Sequence, residues 1–306
     1  MGIVVIGATF VDIKGFPEDN YIPTGRNVGR VEYIHGGVAR NVVEDIANVE
    51  LRPTFLGIVD DTPMGTDVLQ KLKKHKVNVD HVLVLPDGMG TWLAVFDNNG
   101  DVAGSISKRP NMLPIVGLLE EKGDEIFASA NSVVLEVDLD KEIVKKVLDL
   151  AKKHGTKVFG LVSNMSIAAK RRDFLRSFDC FICNQLEAGQ LFLDDYSKKS
   201  PEELCSILGE KVTGARISSM VVTMGEHGAV YATRDGEKGI CPARKVQVKD
   251  TTGAGDAFCA GVAIGLTYGK KLPEAIEIGS MLAASVITSS ENVCPRFQPE
   301  ELGLTV

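Results

Sequence analysis

The chain has 306 residues, 44% of them hydrophobic and 25% charged, which is enough to bury a sizeable core without help from disulfides or a structural metal. Its formal net charge of −7 excludes the broad basic surface of a nucleic-acid-binding protein, so any bound anion must be met by local groups. The opening MGIVVIGATFVDI lacks a basic leader and a cleavage site, and no apolar run approaches the ~20 residues of a membrane span; a soluble cytoplasmic protein, with no membrane partner, is expected.

In chain order, residues 3–6 (Ile-Val-Val-Ile) predict a strand, 28–34 an antiparallel strand, 37–49 a helix and 54–58 a second core strand. A helix is predicted over 64–75, then antiparallel strands over 91–107 joined at Asp97-Asn98-Asn99-Gly100, where Asn-Gly suits positive φ. Strands at 132–136, 157–161, 180–183 and 220–223 then alternate with helical periodicity at 140–153, 201–213 and 272–288. Such alternation predicts βαβ units and a mostly parallel sheet. The early antiparallel strands cannot extend that sheet, so they predict a small β element inserted at about 13–35 and 90–108, able to cover a site. Its strand edges invite pairing across a homodimer; a monomer with the element folded back is equally consistent.

Cys180 and Cys183 form one C-x-x-C, but no second ligand pair follows, and their segment reads as a buried strand. There is no G-x-x-x-x-G-K-[ST], and the first strand ends at Gly7 without a following G-x-x-G, so neither a P-loop nor a dinucleotide site is supported.

The most informative segment is Val246-Gln-Val-Lys-Asp250-Thr-Thr252-Gly253-Ala254-Gly255-Asp256. It predicts a strand, a Gly-rich turn and a helix of small residues. That arrangement gathers free N–H groups and a positive helix end at one point, where phosphate binds. A carboxylate there works against anion binding alone. Asp256 makes sense either as a plain helix cap or as the base that takes a proton from a hydroxyl attacking a phosphoryl group.

Asp250-Thr-Thr-Gly-Ala-Gly-Asp256 resembles the C-terminal signature of the ribokinase-like (PfkB-type) carbohydrate and nucleoside kinases. Gly36-Gly37-Val-Ala-Arg-Asn41, Asn184-Gln-Leu-Glu187 and Thr223-Met-Gly225-Glu-His-Gly228 resemble that family's other motifs, in its order and across nearly the whole chain. The resemblance implies a three-layer α/β/α Rossmann-like sandwich with a small β lid, and transfer of the γ-phosphoryl group of ATP to a hydroxyl. It implies Asp256 as base and the N–H groups of Gly253, Ala254 and Gly255 as an anion hole. Substrate contacts would come from Asp12, Gly36, Gly37 and Asn41, and nucleotide contacts from Asn184, Thr223, Gly225 and Gly228. Glu187 would act on Mg²⁺ through water, and Asp250 and Thr252 would border a monovalent cation such as K⁺, although Ser289–Asn292 depart from the usual far side of that site.

The Gly-Gly-Val-Ala-Arg-Asn form is most similar to that of pseudouridine kinases, so a ribosyl-type substrate, nucleoside ahead of free sugar, is expected. Phe10 stands where many relatives carry Asn, and Lys108-Arg109-Pro110 is unusual. If they face the site, these cations favour an anionic or carbonyl-rich substrate, as in a phosphosugar or acidic-sugar kinase; otherwise they form a solvated loop. Glu136 and Asp138 share one face of an extended segment; the resemblance implies a substrate-contacting residue there, and Asp138 is taken as that contact. Trp92 and Tyr33 either pack the lid or stack on a base. A non-catalytic ligand-binding relative is the competing class, against which the intact Asp256 and its anion hole stand.

Overall fold

The computed structural model describes residues 1–305, the side chain of Arg171 excepted. Its central sheet runs Thr54–Leu56, Ile3–Ile6, Ser132–Glu136, Lys157–Leu161, Cys180–Asn184, Ser219–Thr223, Ala229–Thr233 and Lys238–Cys241 from edge to edge. The first six are parallel; Ala229–Thr233 runs antiparallel to them, and Lys238–Cys241 pairs antiparallel to Ala229–Thr233. Parallel strands covered on both faces need apolar residues in both directions. Accordingly Val134 packs into one core layer while Val133 and Leu135 pack into the other. Helices Val38–Asn48, Ala254–Thr267 and Leu272–Ile287 cover the first face; Pro114–Ala128, Lys141–His154 and Pro201–Ala215 cover the second.

Small residues let two of these helices cross closely. A Cβ on Gly261 would lie 2.6 Å from the Gly279 Cα, so the backbones of Ala254–Thr267 and Leu272–Ile287 touch directly. This fixes the start of Ala254–Thr267 over the carboxyl ends of the parallel strands, where open α/β sheets bind their ligands.

The lid is a four-stranded sheet in the order Gly29–Gly36, Phe10–Pro17, Gly90–Phe96 and Val102–Lys108. Its register puts Asp12 opposite Trp92, and Trp92 opposite Ser107. With a side-chain period of two, these three share the face that looks onto the body. The other face exposes Val31, Tyr33, Leu93 and Ile106, at 58, 62, 41 and 70% of their surface.

Several local expectations are corrected. Asp12, read from the sequence as belonging to the first strand, lies on the lid strand, since the chain leaves the central sheet after Ile6. The run 54–58 divides: Thr54–Leu56 joins the main sheet and Ile58–Val59 pairs with Leu83–Val84. Residues 246–250 form no strand. Val246 and Val248 are exposed there, and the segment is held instead by the Lys249 N–H on the Ile287 carbonyl at 2.9 Å. In the lid turn only Gly100 takes positive φ, at 84°, while Asn99 does not. Strands Ala229–Thr233 and Lys238–Cys241 and helices Pro114–Ala128 and Gln185–Phe192 add to the predicted set.

Candidate active site

Several loops that reach the cleft leave the carboxyl ends of parallel strands. Ser163 and Asn164 follow Lys157–Leu161, Asn184 and Glu187 follow from Cys180–Asn184, and Thr223 ends Ser219–Thr223. They line three adjoining cavities of about 290, 260 and 160 Å³. The first, under the lid, includes Phe10, Asp12, Gly37, Asn41, Arg109 and Asp256. The second holds Asn184, Glu187, Thr223, Gly255 and Asp256. The third is lined by Thr223, Gly225, Gly228, Ala243, Phe258, Ala283 and Ala284. Asp256 borders the first two cavities, and Gly255 the second and third, so the start of helix Ala254–Thr267 is the point through which all three communicate.

The Gly-rich turn explains that opening. Gly253 is the N-cap, with φ 80°, and a Cβ on it would fall 2.0 Å from the Asn292 carbonyl oxygen. Both conformation and space therefore demand glycine. A Cβ on Gly255 would meet nothing within 4 Å: its surroundings are cavity, room for a ligand to approach the backbone. The Ala254 N–H is spent on the Thr251 carbonyl at 3.2 Å, which corrects its expected place in the anion hole. Among the described residues, the N–H groups of Gly253, Gly255 and Asp256 have no acceptor. They supply the partial positive charge of a helix start.

Asp256 is held from one side only. The Asn41 Nδ2 donates to Asp256 Oδ2 at 2.6 Å. The Asn41 Oδ1 accepts from Arg40 and, at 3.4 Å, from the Asn292 Nδ2. With its oxygen so engaged, the amide can turn only its donor toward the carboxylate. Asn41 thus holds the base, and it also lines the lid cavity, where the sequence suggested a contact to substrate hydroxyls. Burial pushes the Asp256 carboxyl up to about 7, against the pull of the Asn41 hydrogen bond and the Arg40 charge. A carboxylate with its proton affinity near neutrality suits a general base. Arg40 is itself buried and donates to Glu44 and to the His35 carbonyl.

Asp12 lines the cavity beside Asp256, and burial raises its carboxyl while Lys14 and Arg40 pull it down. Gly36 does not line that cavity. A Cβ on it would lie 2.5 Å from Asp12 Oδ1, so its part is to leave room for that carboxylate. Glu136 and Asp138 both point inward, and neither lines a cavity described above. The Glu136 carboxylate accepts from the Ala8 N–H at 3.1 Å and the Ala39 N–H at 2.8 Å, filling the start of helix Val38–Asn48. Asp138 accepts from the Ser163 N–H at 3.0 Å and from Arg109 Nη2 at 3.0 Å. That corrects its expected role: Arg109 meets the cavity, and Asp138 holds Arg109. Lys108 turns away to Asp87 at 2.8 Å.

Glu187 and Asn184 form a capping box: Glu187 Oε2 accepts from the Asn184 N–H at 2.8 Å and Asn184 Oδ1 from the Glu187 N–H at 2.9 Å. One carboxylate oxygen remains over the second cavity, where burial raises its proton affinity. An oxygen donor beside space for water suits Mg²⁺, which keeps much of its hydration shell. Asp250 Oδ1 accepts from the Thr252 N–H at 2.8 Å, an arrangement that keeps its carboxyl low. Sequence reasoning missed Arg40 and Ser163, and took Asn292 only as part of an altered cation site. Ser163 acts through its backbone N–H and Asn292 on residues far back along the chain, so no spacing signals them, whereas Arg40 acts on its own neighbours Asn41 and Glu44.

A base at the meeting point of two cavities, beside unspent N–H groups, defines a phosphotransferase with an alcohol group as acceptor. Residues 2–294 match the pfkB family carbohydrate kinases, and the chain belongs to that family. It is 38% identical over 297 residues to a guanosine-inosine kinase of Exiguobacterium acetylicum, covering 95% of each chain. It is 25% identical over 262 residues to a pseudouridine kinase of Escherichia coli, covering 85% of this chain and 82% of that one. A solved Arabidopsis thaliana ribokinase complexed with ribose and ATP superposes with a TM-score of 0.84 at 20% identity, over 98% of this chain and 97% of that one; at that identity the likeness shows the fold.

Proposed function

We propose that the protein transfers the γ-phosphoryl group of ATP to the hydroxymethyl hydroxyl of a nucleoside. The observation that carries this reading is the position of Asp256, which borders both the lid cavity and the Glu187 cavity beside the unspent N–H groups of Gly255 and Asp256. The acceptor lies under the lid, its sugar against Asp12 and its reacting hydroxyl at Asp256. As that oxygen attacks the γ-phosphorus, its proton passes to the carboxylate and ADP leaves. The helix start takes up charge developing on the phosphoryl oxygens. The base of ATP suits the third cavity, whose walls at Phe258, Ala283 and Ala284 are apolar. Glu187 would hold Mg²⁺ through water, and that ion would neutralise phosphate charge; Asp250 and Thr252 would border K⁺ in the same proposal.

Two relatives support a nucleoside in particular, the guanosine-inosine kinase and the pseudouridine kinase. The phosphosugar alternative needed Lys108 and Arg109 as free cations in the pocket, and both are paired with carboxylates. A reducing, cytoplasmic setting fits the six unpaired cysteines. A homodimer through the lid fits the exposed Val31, Tyr33, Leu93 and Ile106, and sedimentation velocity checks it. The test of the function is ADP release with MgCl₂, with and without KCl, across nucleosides, pentoses, hexoses and sugar phosphates. A nucleoside should drive release that Asp256→Asn abolishes; turnover of sugar phosphates alone would reverse the assignment.

A further inference from the structure

We propose that Glu44, a fully buried acid, is a positioning residue for the base: it holds Arg40, Arg40 turns the Asn41 amide, and the amide presents its donor to Asp256. The inference rests on Asp256 as the base in the reading above and goes beyond it to what keeps that base aligned.

The contacts run along one helix and then across the cleft. Arg40, Asn41 and Glu44 all lie on Val38–Asn48, with Glu44 one turn beyond Arg40. Arg40 Nη1 donates to Glu44 Oε2, while Nη2 donates to Asn41 Oδ1 and to the His35 carbonyl. Both hydrogens of Nη2 are thereby assigned, so the seat of the guanidinium fixes where the Asn41 oxygen points. The other end of that amide donates to Asp256 Oδ2 at 2.6 Å. Glu44 is itself gripped from the far side: Lys71 Nζ, on helix Pro63–Lys74, lies 3.1 Å from Glu44 Oε1. The alignment of the base is thus anchored outward to a second helix, through Glu44.

Charge shows why an acid stands there. The Arg40 and Glu44 side chains keep 1% and 0% of their surface. A guanidinium buried without a partner is strongly unfavourable, yet a buried ion pair often stabilises a fold no better than apolar side chains of the same size. Packing alone gives no reason for the pair; aiming a guanidinium at Asn41 does. Burial would raise the Glu44 carboxyl, and the charges of Arg40 and Lys71 hold it below the usual range, whereas burial pushes the adjoining Asp45 well up. Glu44 is therefore the ionised acid of this stretch. His35, His75 and the Cys294 thiol also face it, but His75 Nδ1 is engaged with Asn48 Oδ1 at 2.6 Å. Asp256, at the other end, faces Asn41, Arg40, Glu187 and Asp12.

The test is a mutant cycle in the purified full chain: wild type, Glu44→Met, Arg40→Met and the pair variant, run beside Asp256→Asn. Turnover of inosine, guanosine and pseudouridine with ATP and MgCl₂ is read between about pH 5.5 and 9, together with melting temperature. Glu44→Met should lower kcat about ten- to a hundredfold, with KM for ATP held within about twofold. Because Glu44 acts through Arg40, the pair variant should lose no more than Arg40→Met alone, where independent roles would multiply. In Arg40→Met and in the pair variant, Asp256 loses the oriented Asn41 donor and the Arg40 charge, both of which pull its carboxyl down. The ionisation seen in kcat/KM should therefore move up by about one pH unit. If Glu44→Met does not fold, Glu44→Asp, which keeps the charge but draws it back by one methylene, takes its place in the cycle. A lower melting temperature with kcat unchanged makes Glu44 a purely structural acid and overturns the inference, as does a pair variant whose loss is the product of the two single losses. Either result leaves Asp256 standing as the base. Turnover that survives Asp256→Asn, or none with any nucleoside, overturns the underlying reading as well.

Discussion

Two helices begin at the same cleft, and their starts are treated in opposite ways. The helix Val38–Asn48 has its first turn filled from within: the Glu136 carboxylate takes the Ala39 N–H. The helix Ala254–Thr267 leaves the N–H groups of Gly255 and Asp256 without an acceptor among the described residues. Both ends carry the same partial positive charge. In one the chain spends it on its own carboxylate, which fastens the helix to the sheet through residues almost a hundred positions apart. In the other it is kept for charge that arrives with the reaction. The comparison separates a structural acid from a chemical one, although both are buried and both have proton affinities raised by burial.

The comparison breaks first, and most visibly, at the open helix. Asp256→Asn should lower turnover by roughly 10²–10⁴-fold while stabilising the fold at high pH. A carboxyl raised to about 7 favours the folded state only while protonated, so the wild-type protein loses that stability as pH climbs from near 4 through 7. Melting temperatures of the two proteins should therefore agree near pH 4 and separate by pH 8, the variant higher. The activity of wild type should rise with pH through an apparent ionisation near 7, read from kcat/KM; a flat profile from pH 5.5 to 8.5 would remove Asp256 as the base.

Gly255→Ala comes next. The added methyl meets no protein atom within 4 Å, so the melting temperature should hold while kcat falls roughly tenfold or more, since a methyl stands where phosphoryl oxygens approach the N–H groups. Equal loss of stability and activity would mean that the space belongs to the fold. Glu136→Gln attacks the filled helix instead. Its amide cannot accept from both Ala8 and Ala39, and one stranded donor should cost about 1–3 kcal/mol of unfolding free energy, with kcat changed only a few-fold. Lys108→Ala is the control: its exposed partner is Asp87, and neither KM nor the denaturation midpoint should move.

Much of the open helix was legible in the sequence, because a turn, its glycines and its carboxylate are contiguous and their spacing is their chemistry. The filled helix was not. Glu136 and Asp138 read as equivalent acids on one extended segment, and nothing local says that one caps a helix and the other holds Arg109. The same holds for Asn41. Its place in the Gly-Gly motif was visible, but its bond to Asp256 spans 215 positions, and the Arg40 and Asn292 contacts that orient its amide come from packing. Strand 10–17 was partly hidden for a different reason: Phe10 and Val11 continue an apolar run that belongs to the first core strand, and only the sheet's geometry ends that strand at Ile6.

The His35 carbonyl has a consequence for mechanics. It accepts from Arg40 and, at 3.0 Å, from the Asn292 Nδ2, the same two side chains that hold the Asn41 amide. The root of strand Gly29–Gly36 is thus bolted to the body. Any swing of the lid has its fulcrum outward of residue 35, with Arg30 far out on the lever. Asp12, paired with Ile34, sits next to that fulcrum and travels least, so the sugar's seat keeps its alignment with Asp256 whatever the tip of the lid does.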